Sequence, residues 1–332
     1  MIKMRWQFLP LAIALVIVMP AAGWAQNASR AQVTNVKVTV LSTMLVGANG
    51  GGGIGEWGFA ALLEVDGRRL LIDTGARPET VLRNVEEMRI DLSNITEVVL
   101  THNHADHTGG LLALRRSVMA KNPAALSRVH VPAGIFISRL LDGREAGGLL
   151  PIKADLEKLG GQFIEHGAPF ELLPGVWLLG PVPRVHPERN WSVAPGRPQL
   201  LQLPTGPVED NVPEDTAIAI NTRSGLVVIS GCGHAGVINT LEYARKSVAD
   251  VPIEAAVGGF HLYAASDEVL EWTGGRLKAL GVRNFLGAHC TGIEAVFRLR
   301  QMLGLARRTA VVAAVGSSFT LGTGIESPAL AR

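Results

Sequence analysis

From His102 to His107 the chain reads His-Asn-His-Ala-Asp-His, three imidazoles and a carboxylate within six residues. Donor atoms at that density serve metal coordination above all: imidazole and carboxylate suit zinc first, then iron or manganese. A His-x-His pair at a strand end faces one cation, while Asp106 and His107 on the next turn face a second. Other donors stand in short motifs elsewhere. Asp73 ends Leu71-Ile72-Asp73, Cys232 and His234 lie in Gly-Cys-Gly-His-Ala-Gly, His261 in Gly-Gly-Phe-His-Leu, and His289 and Cys290 in His-Cys-Thr-Gly. No Gly-x-Ser-x-Gly elbow is present, so the sequence offers no serine nucleophile of that kind.

These residues need strand ends to hold them. Thr96 to Thr101 reads as a buried strand, and the segment opening at Thr108-Gly109-Gly110-Leu111 is amphipathic. The histidine cluster therefore sits on a strand-to-helix loop, where sites are commonly held. Strand patterns at Val33–Leu45, Phe59–Val65 and Arg69–Asp73 precede it, with Asp66-Gly67 as a turn. Helical patterns follow at Pro78–Met88, Gly110–Ala120 and Ile135–Leu141, interspersed with strands near Val98, Val129, Gln162–Glu165 and Val176–Leu179. A second series runs through strands Ala217–Asn221 and Leu226–Ser230, helix Val237–Val248, strand Ile253–Val257 and helix Asp267–Leu280. It closes with strand Asn284–Gly287, helix Ile293–Leu303 and strand Ala310–Val315. Two halves that each begin with strands and then add helices imply two mixed sheets packed face to face between helical layers.

Two segments break the pattern. Gly47–Gly55 carries six glycines in nine residues, and Pro181–Pro213 carries eight prolines, which interrupt helix and strand alike. Both are expected to wall a substrate entrance, with Arg184, His186, Glu188 and Trp191 as contacts in the second. Glu56 is either a solvated turn acid or a pocket acid. His130 and His166, in ordinary strand patterns, read as core or surface residues.

Lys3 and Arg5 precede an apolar run from Phe8 to Val18, and Gly23-Trp24-Ala25 offers small residues for cleavage. Residues 1–25 are therefore expected to be a secretory signal peptide, and 26–332 a single domain with a Pro-rich insertion at 181–213. The chain has 31 basic and 29 acidic residues; without Lys3 and Arg5 they balance at 29 each. A formally neutral mature protein carries no nucleic-acid footprint. The expected setting is periplasmic or secreted, with no membrane association after cleavage. Cys232 and Cys290, the only two cysteines, are compatible with a disulfide in an oxidising compartment. Their histidine neighbours point equally to a metal-site environment.

The strand-end motifs together resemble those of the metallo-β-lactamase superfamily, whose fold is a four-layer αβ/βα sandwich with one or two metals at the sheet edges. The Gly-Cys-Gly-His-Ala-Gly, Gly-Gly-Phe-His-Leu and His-Cys-Thr-Gly elements, with Glu56-Trp57-Gly58, resemble its subgroup of metal-dependent hydrolases and dihydropterin-ribofuranosylaminobenzene-phosphate synthases. Gly233 stands where that subgroup usually has Ser, and neither a histidine shortly ahead of Thr216 nor an aspartate after Gly231 is present. The resemblance implies His102, His104 and His234 on a first metal and Asp106, His107 and His289 on a second. Cys232, in the place of the bridging aspartate, is either a thiolate ligand or a small buried residue. Asp73 is implied to orient the histidine loop. Asp106 also orients an attacking water, and His261 is a pocket residue that binds substrate or moves a proton, with metal ligation as the alternative. The implied cofactor is Zn2+, one or two ions, with Mn2+ or Fe2+ as alternatives. The implied function is a hydrolase that uses a metal-bound hydroxide on a small ester, lactone, amide or phosphoester. The alternatives are a synthase-like transferase on a pterin-type phosphorylated substrate and a non-catalytic periplasmic metal- or ligand-binding protein. The partner in each enzymatic case is a small-molecule substrate.

Overall fold

The computed structural model describes residues 30–47, 53–190 and 198–329. The expected signal segment, most of the glycine loop and Trp191 lie outside them. Eight described strands form one sheet in the order Gly324–Glu326, Ser318–Thr320, Val36–Ser42, Ala60–Val65, Arg68–Ile72, Glu97–Val99, Arg128–Pro132 and Gln162–His166. Seven form the other: Phe170–Leu173, Val176–Leu178, Ala217–Thr222, Gly225–Ser230, Ile253–Gly258, Asn284–Gly287 and Ala310–Val312. Each sheet is antiparallel at its start and parallel beyond, from Arg68–Ile72 in the first and from Gly225–Ser230 in the second.

The layers follow from the two-residue period of each strand. Ala61, Leu63 and Val65 face the same inner core as Ile218, Ile220, Val227 and Ile229 of the opposite sheet. Their neighbours Ala60 and Leu62 pack outward with Val81, Val85 and Leu114 of the helices Thr80–Glu87 and Leu111–Met119. On the far side Leu226 and Val228 pack with Ile238, Leu241, Leu277 and Leu299 of the helices Val237–Ser247, Asp267–Ala279 and Ile293–Leu303. Strands apolar on both faces are the mark of sheets covered on both sides, and the result is the expected four-layer αβ/βα sandwich. A one-residue slip in any of them would exchange the two cores, so register is tightly specified.

Two local expectations are corrected. Ile135–Leu141 is no helix: turns at Pro132–Ile135 and Gly134–Ile137 lead into a strand, Arg139–Leu141. Arg139, fully buried, binds Asp210 at 2.9 Å and Glu214 at 2.5 Å, and this ion cluster overrides the local helical spacing. The Pro-rich segment contains a hairpin, Leu200–Leu203 with Gly206–Glu209, which pairs with Arg139–Leu141. Its prolines are tolerated because Pro204 lies in the turn and Pro207 on an edge strand. Among the described residues no helix is long and apolar enough to cross a membrane.

Candidate metal centre

The donors come together at the carboxyl ends of strands from both sheets. Asp73 follows Arg68–Ile72, the histidine cluster follows Glu97–Val99, and Cys232 and His234 follow Gly225–Ser230. His261 and His289 follow Ile253–Gly258 and Asn284–Gly287. Parallel strands point their carboxyl ends one way, which is why an edge of this kind gathers a site. Asp73, His261 and His289 adopt positive φ of 52°, 45° and 46°. Such conformations cost of order 1–3 kcal/mol each in non-glycine residues and concentrate at functional sites.

The structure brings all six sequence-implied ligands together. Ring centroids of His102 lie 4.6 Å from His104, 4.1 Å from His107 and 4.8 Å from His234, and His107 lies 5.0 Å from His289. His102, His104 and Asp106 have ligand atoms within 4.8 Å of one another. The same holds for His102, Cys232 and His234, and for His107, Cys232 and His289. Asp106 Oδ2 lies 3.2 Å from His289 Nε2.

Hydrogen bonds set which nitrogen faces inward in three of the rings, those of His102, His107 and His234. The Asp73 carboxylate accepts from the Thr101 amide and hydroxyl, both at 2.8 Å, and from His107 Nδ1 at 2.7 Å. Since the Thr101 hydroxyl donates to Asp73, its oxygen accepts from His102 Nδ1 at 3.1 Å. His234 Nδ1 donates to the Asn190 carbonyl at 2.6 Å. The Nε2 atoms of His102, His107 and His234 are left buried without a hydrogen-bond partner. A buried polar atom left unpaired costs about 1–3 kcal/mol. His102 and His234 belong to one group of donors and His107 to the group with His289; donors so placed, each fixed through its other nitrogen, fit metal ions. Gly231 makes the close approach possible: a Cβ there would stand 2.1 Å from Thr101 Oγ1 and 2.5 Å from Asp73 Oδ2.

The charge states of three rings agree with ligation. Burial and the neighbouring rings hold His102 and His234 well below the ordinary imidazole range, and burial lowers His104 to about 4. These rings are neutral at neutral pH. Burial alone would lower His107 too, but the Asp73 and Asp106 carboxylates raise it to about 9, so this ring is protonated at neutral pH and would have to release a proton to bind a metal. Asp106 is held far below the usual carboxylate range by His107 and His289, against its own burial.

The centre opens into a cavity of about 280 Å³ whose walls include Trp57, Asp210, Val212, His261 and Tyr263. Trp57 and Tyr263 meet edge to face at 5.4 Å and are half exposed at the mouth. Cys232 and Cys290 are free thiols with their sulfurs 3.0 Å apart in the cavity wall. Residues outside the expected set also matter: Asn190 orients His234, and Asp210 links the cavity to buried Arg139. No motif marks either residue, because both act through contacts distant in sequence.

Other candidates stand apart. Glu56 is buried and accepts from Ser42 Oγ and the amides of Ala76 and Arg77, so it ties loops together. His130 and His166 bond each other at 2.9 Å, with Glu97 beyond. His186 pairs with Glu242, and Glu188 accepts from the first amides of helix Val237–Ser247.

Comparison with known proteins places this geometry. A curated relative from Methanocaldococcus jannaschii, 7,8-dihydropterin-6-methyl-4-(beta-D-ribofuranosyl)-aminobenzene-5'-phosphate synthase, is 32% identical over 276 residues, covering 80% of this chain and 90% of that one. The chain belongs to that synthase family, within the metallo-β-lactamase superfamily. A solved member of the superfamily, the metal-dependent hydrolase Tm1679, is 27% identical with a TM-score of 0.63, covering 81% of this chain and 93% of its own. Zinc-bound PqqB from Methylobacterium extorquens shares the metallo-β-lactamase fold at 14% identity and a TM-score of 0.50, over 85% of this chain and 99% of its own. The family model for the anti-Pycsar protein Apyc1 matches residues 41–131, which include the histidine loop.

Proposed function

We propose that this metallo-β-lactamase-fold protein is a metal-dependent hydrolase of a small ester, lactone, amide or phosphoester, acting in the periplasm or outside the cell. The observation that carries the reading is that His102, His107 and His234 each keep a buried, unpartnered Nε2 while standing in donor groups, with His104 and Asp106, with Cys232 and with His289, whose ligand atoms lie within 4.8 Å of one another beside a cavity. His102, His104 and His234 would hold one ion, and Asp106, His107 and His289 a second. Zinc, or manganese or iron in its place, supplies a Lewis acid and lowers the pKa of water from about 15.7 toward about 7.

The remaining roles belong to the chain itself. Asp73 and Thr101 fix the tautomers of His107 and His102. Asp106, anionic at neutral pH, accepts a hydrogen bond from attacking water. His261 borders the cavity 4.6 Å from the His234 ring and binds substrate or carries a proton to the leaving group. Trp57 and Tyr263 exclude water at the mouth.

The similarity to the M. jannaschii synthase favours a second reading, a transfer reaction on a pterin-type phosphorylated substrate. Against it, no lysine or arginine is among the described residues lining the cavity, and the periplasmic setting proposed here would separate the protein from phosphorylated metabolites. The test is metal analysis of the purified protein together with a panel of aryl esters, lactones, amides and phosphoesters. Hydrolysis that stops on chelation and returns with metal is expected. Bound metal without turnover across the panel would overturn the hydrolase reading and leave the transferase and a binding protein.

A further inference from the structure

One donor atom is common to both halves of the centre. Cys232 Sγ lies within 4.8 Å of ligand atoms of His102 and His234, and within the same distance of ligand atoms of His107 and His289. Bonds of about 2.0–2.3 Å to zinc set ligand atoms of one tetrahedral ion roughly 3.3–3.8 Å apart. The observed spread therefore closes with side-chain shifts of about 1 Å. Cys232 is 2% exposed yet borders the cavity, so its sulfur faces the donors and is shielded from bulk solvent. Its backbone is held firmly, because Gly231 is pressed against Thr101 and Asp73.

We propose that Cys232 is a thiolate ligand shared by the two metal positions, and that the centre is built for thiophilic divalent cations such as zinc or cadmium. This rests on the metal-centre reading above and adds the bridging atom to it. As the two sulfur–metal bonds form, the thiol proton passes to solvent. Soft thiolate ligands select against hard manganese and magnesium. Cys290, with Sγ 3.0 Å from the Cys232 sulfur, is a positioning residue whose thiol donates to the bound thiolate. Its own sulfur is held in turn by the His261 amide at 3.3 Å.

Cobalt(II) titration of the metal-free full-length protein tests this without reference to activity. The d–d bands report cobalt bound, and a sulfur-to-cobalt charge-transfer band in the near ultraviolet reports thiolate ligation. In the unaltered protein the charge-transfer band should grow with both the first and the second equivalent. Cys232→Ser and Cys232→Ala should lose it while d–d bands persist, and Cys290→Ser and His261→Ala should keep it. A band that survives in the Cys232 variants, disappears in Cys290→Ser, or grows with only one equivalent would overturn the shared thiolate. So would d–d bands with no charge transfer, an outcome that leaves the hydrolase reading standing. Failure to bind cobalt at all would overturn both. Should the Cys232 variants not fold, the stepwise titration of the unaltered protein decides alone.

Discussion

Each histidine fixed by Asp73, Thr101 or Asn190 commits one ring nitrogen to the protein and turns the other inward. Removing an inward donor and removing its support therefore have different consequences. His104→Ala and Asp106→Ala should abolish turnover and lower bound metal together, since each deletes a proposed ligand. His261→Ala should reduce rate and spare metal. Asp73→Asn keeps the shape but weakens the acceptor for His107, and should cost about 10–100-fold in metal affinity or rate. Metal content by mass spectrometry beside initial rates checks all four; full metal occupancy in Asp106→Ala would remove that residue from the ligand set. The spacing of His102 to His107 made this scale legible before any fold was known. Asn190 was not, because a carbonyl that orients His234 from 44 residues away has no side-chain signature.

Strand ends, and the glycines beside them, set how closely these residues approach. Gly231→Ala would drive a Cβ into Thr101 and Asp73. The substitution should cost about 1–3 kcal/mol of stability and sharply reduce bound metal, read by chemical denaturation and metal analysis. Unaltered metal content would show that the two loops yield without consequence. Asp215, just ahead of strand Ala217–Thr222, offers a pH test. Burial raises its carboxyl from 3.8 to about 7, and one oxygen has no hydrogen-bond partner. A folded pKa above the unfolded one means that the protonated acid favours folding, and that this contribution is lost as pH rises from about 4 through about 7. Asp215→Asn should therefore gain stability relative to the native protein at pH 8 compared with pH 5, measured by denaturant midpoints at each pH. An equal difference at the two pH values would refute the assignment. The helix expected at Ile135–Leu141 failed at this same scale. Its local pattern was outweighed by a buried arginine satisfied from Asp210 and Glu214, some seventy residues on.

Across the whole molecule, the centre draws donors from both sheets: His102, His104, Asp106 and His107 from the loop of the first, and Cys232, His234 and His289 from the ends of strands in the second. A bound ion would clamp the halves of the sandwich to each other. Metal at 100 times its Kd should then add about 2.7 kcal/mol to folding stability. Chelation should lower the melting temperature of the entire cooperative transition, with recovery on adding zinc back. A melting curve insensitive to chelator, for protein shown to have lost its metal, would mean that the sheets need no clamp.

By itself the sequence determined the layered plan and pointed to metal coordination. Period-two strands apolar on both faces require two covered sheets, and a dense histidine loop at a strand end has few uses besides coordination. Tertiary structure alone decided the rest. The strands Ser318–Thr320 and Gly324–Glu326 are too short to carry a pattern; the first exists because Val36–Ser42 supplies a partner, and the second pairs on the first. The hairpin within the Pro-rich segment forms because its prolines fall in a turn and on an edge. Whether Cys232 lay in the core or at the centre was open from its neighbours in sequence. Packing alone put it, buried, where two strand ends bring its sulfur within 4.8 Å of histidines from both sheets, since distance in space, which ligand chemistry obeys, is set by packing rather than by position along the chain.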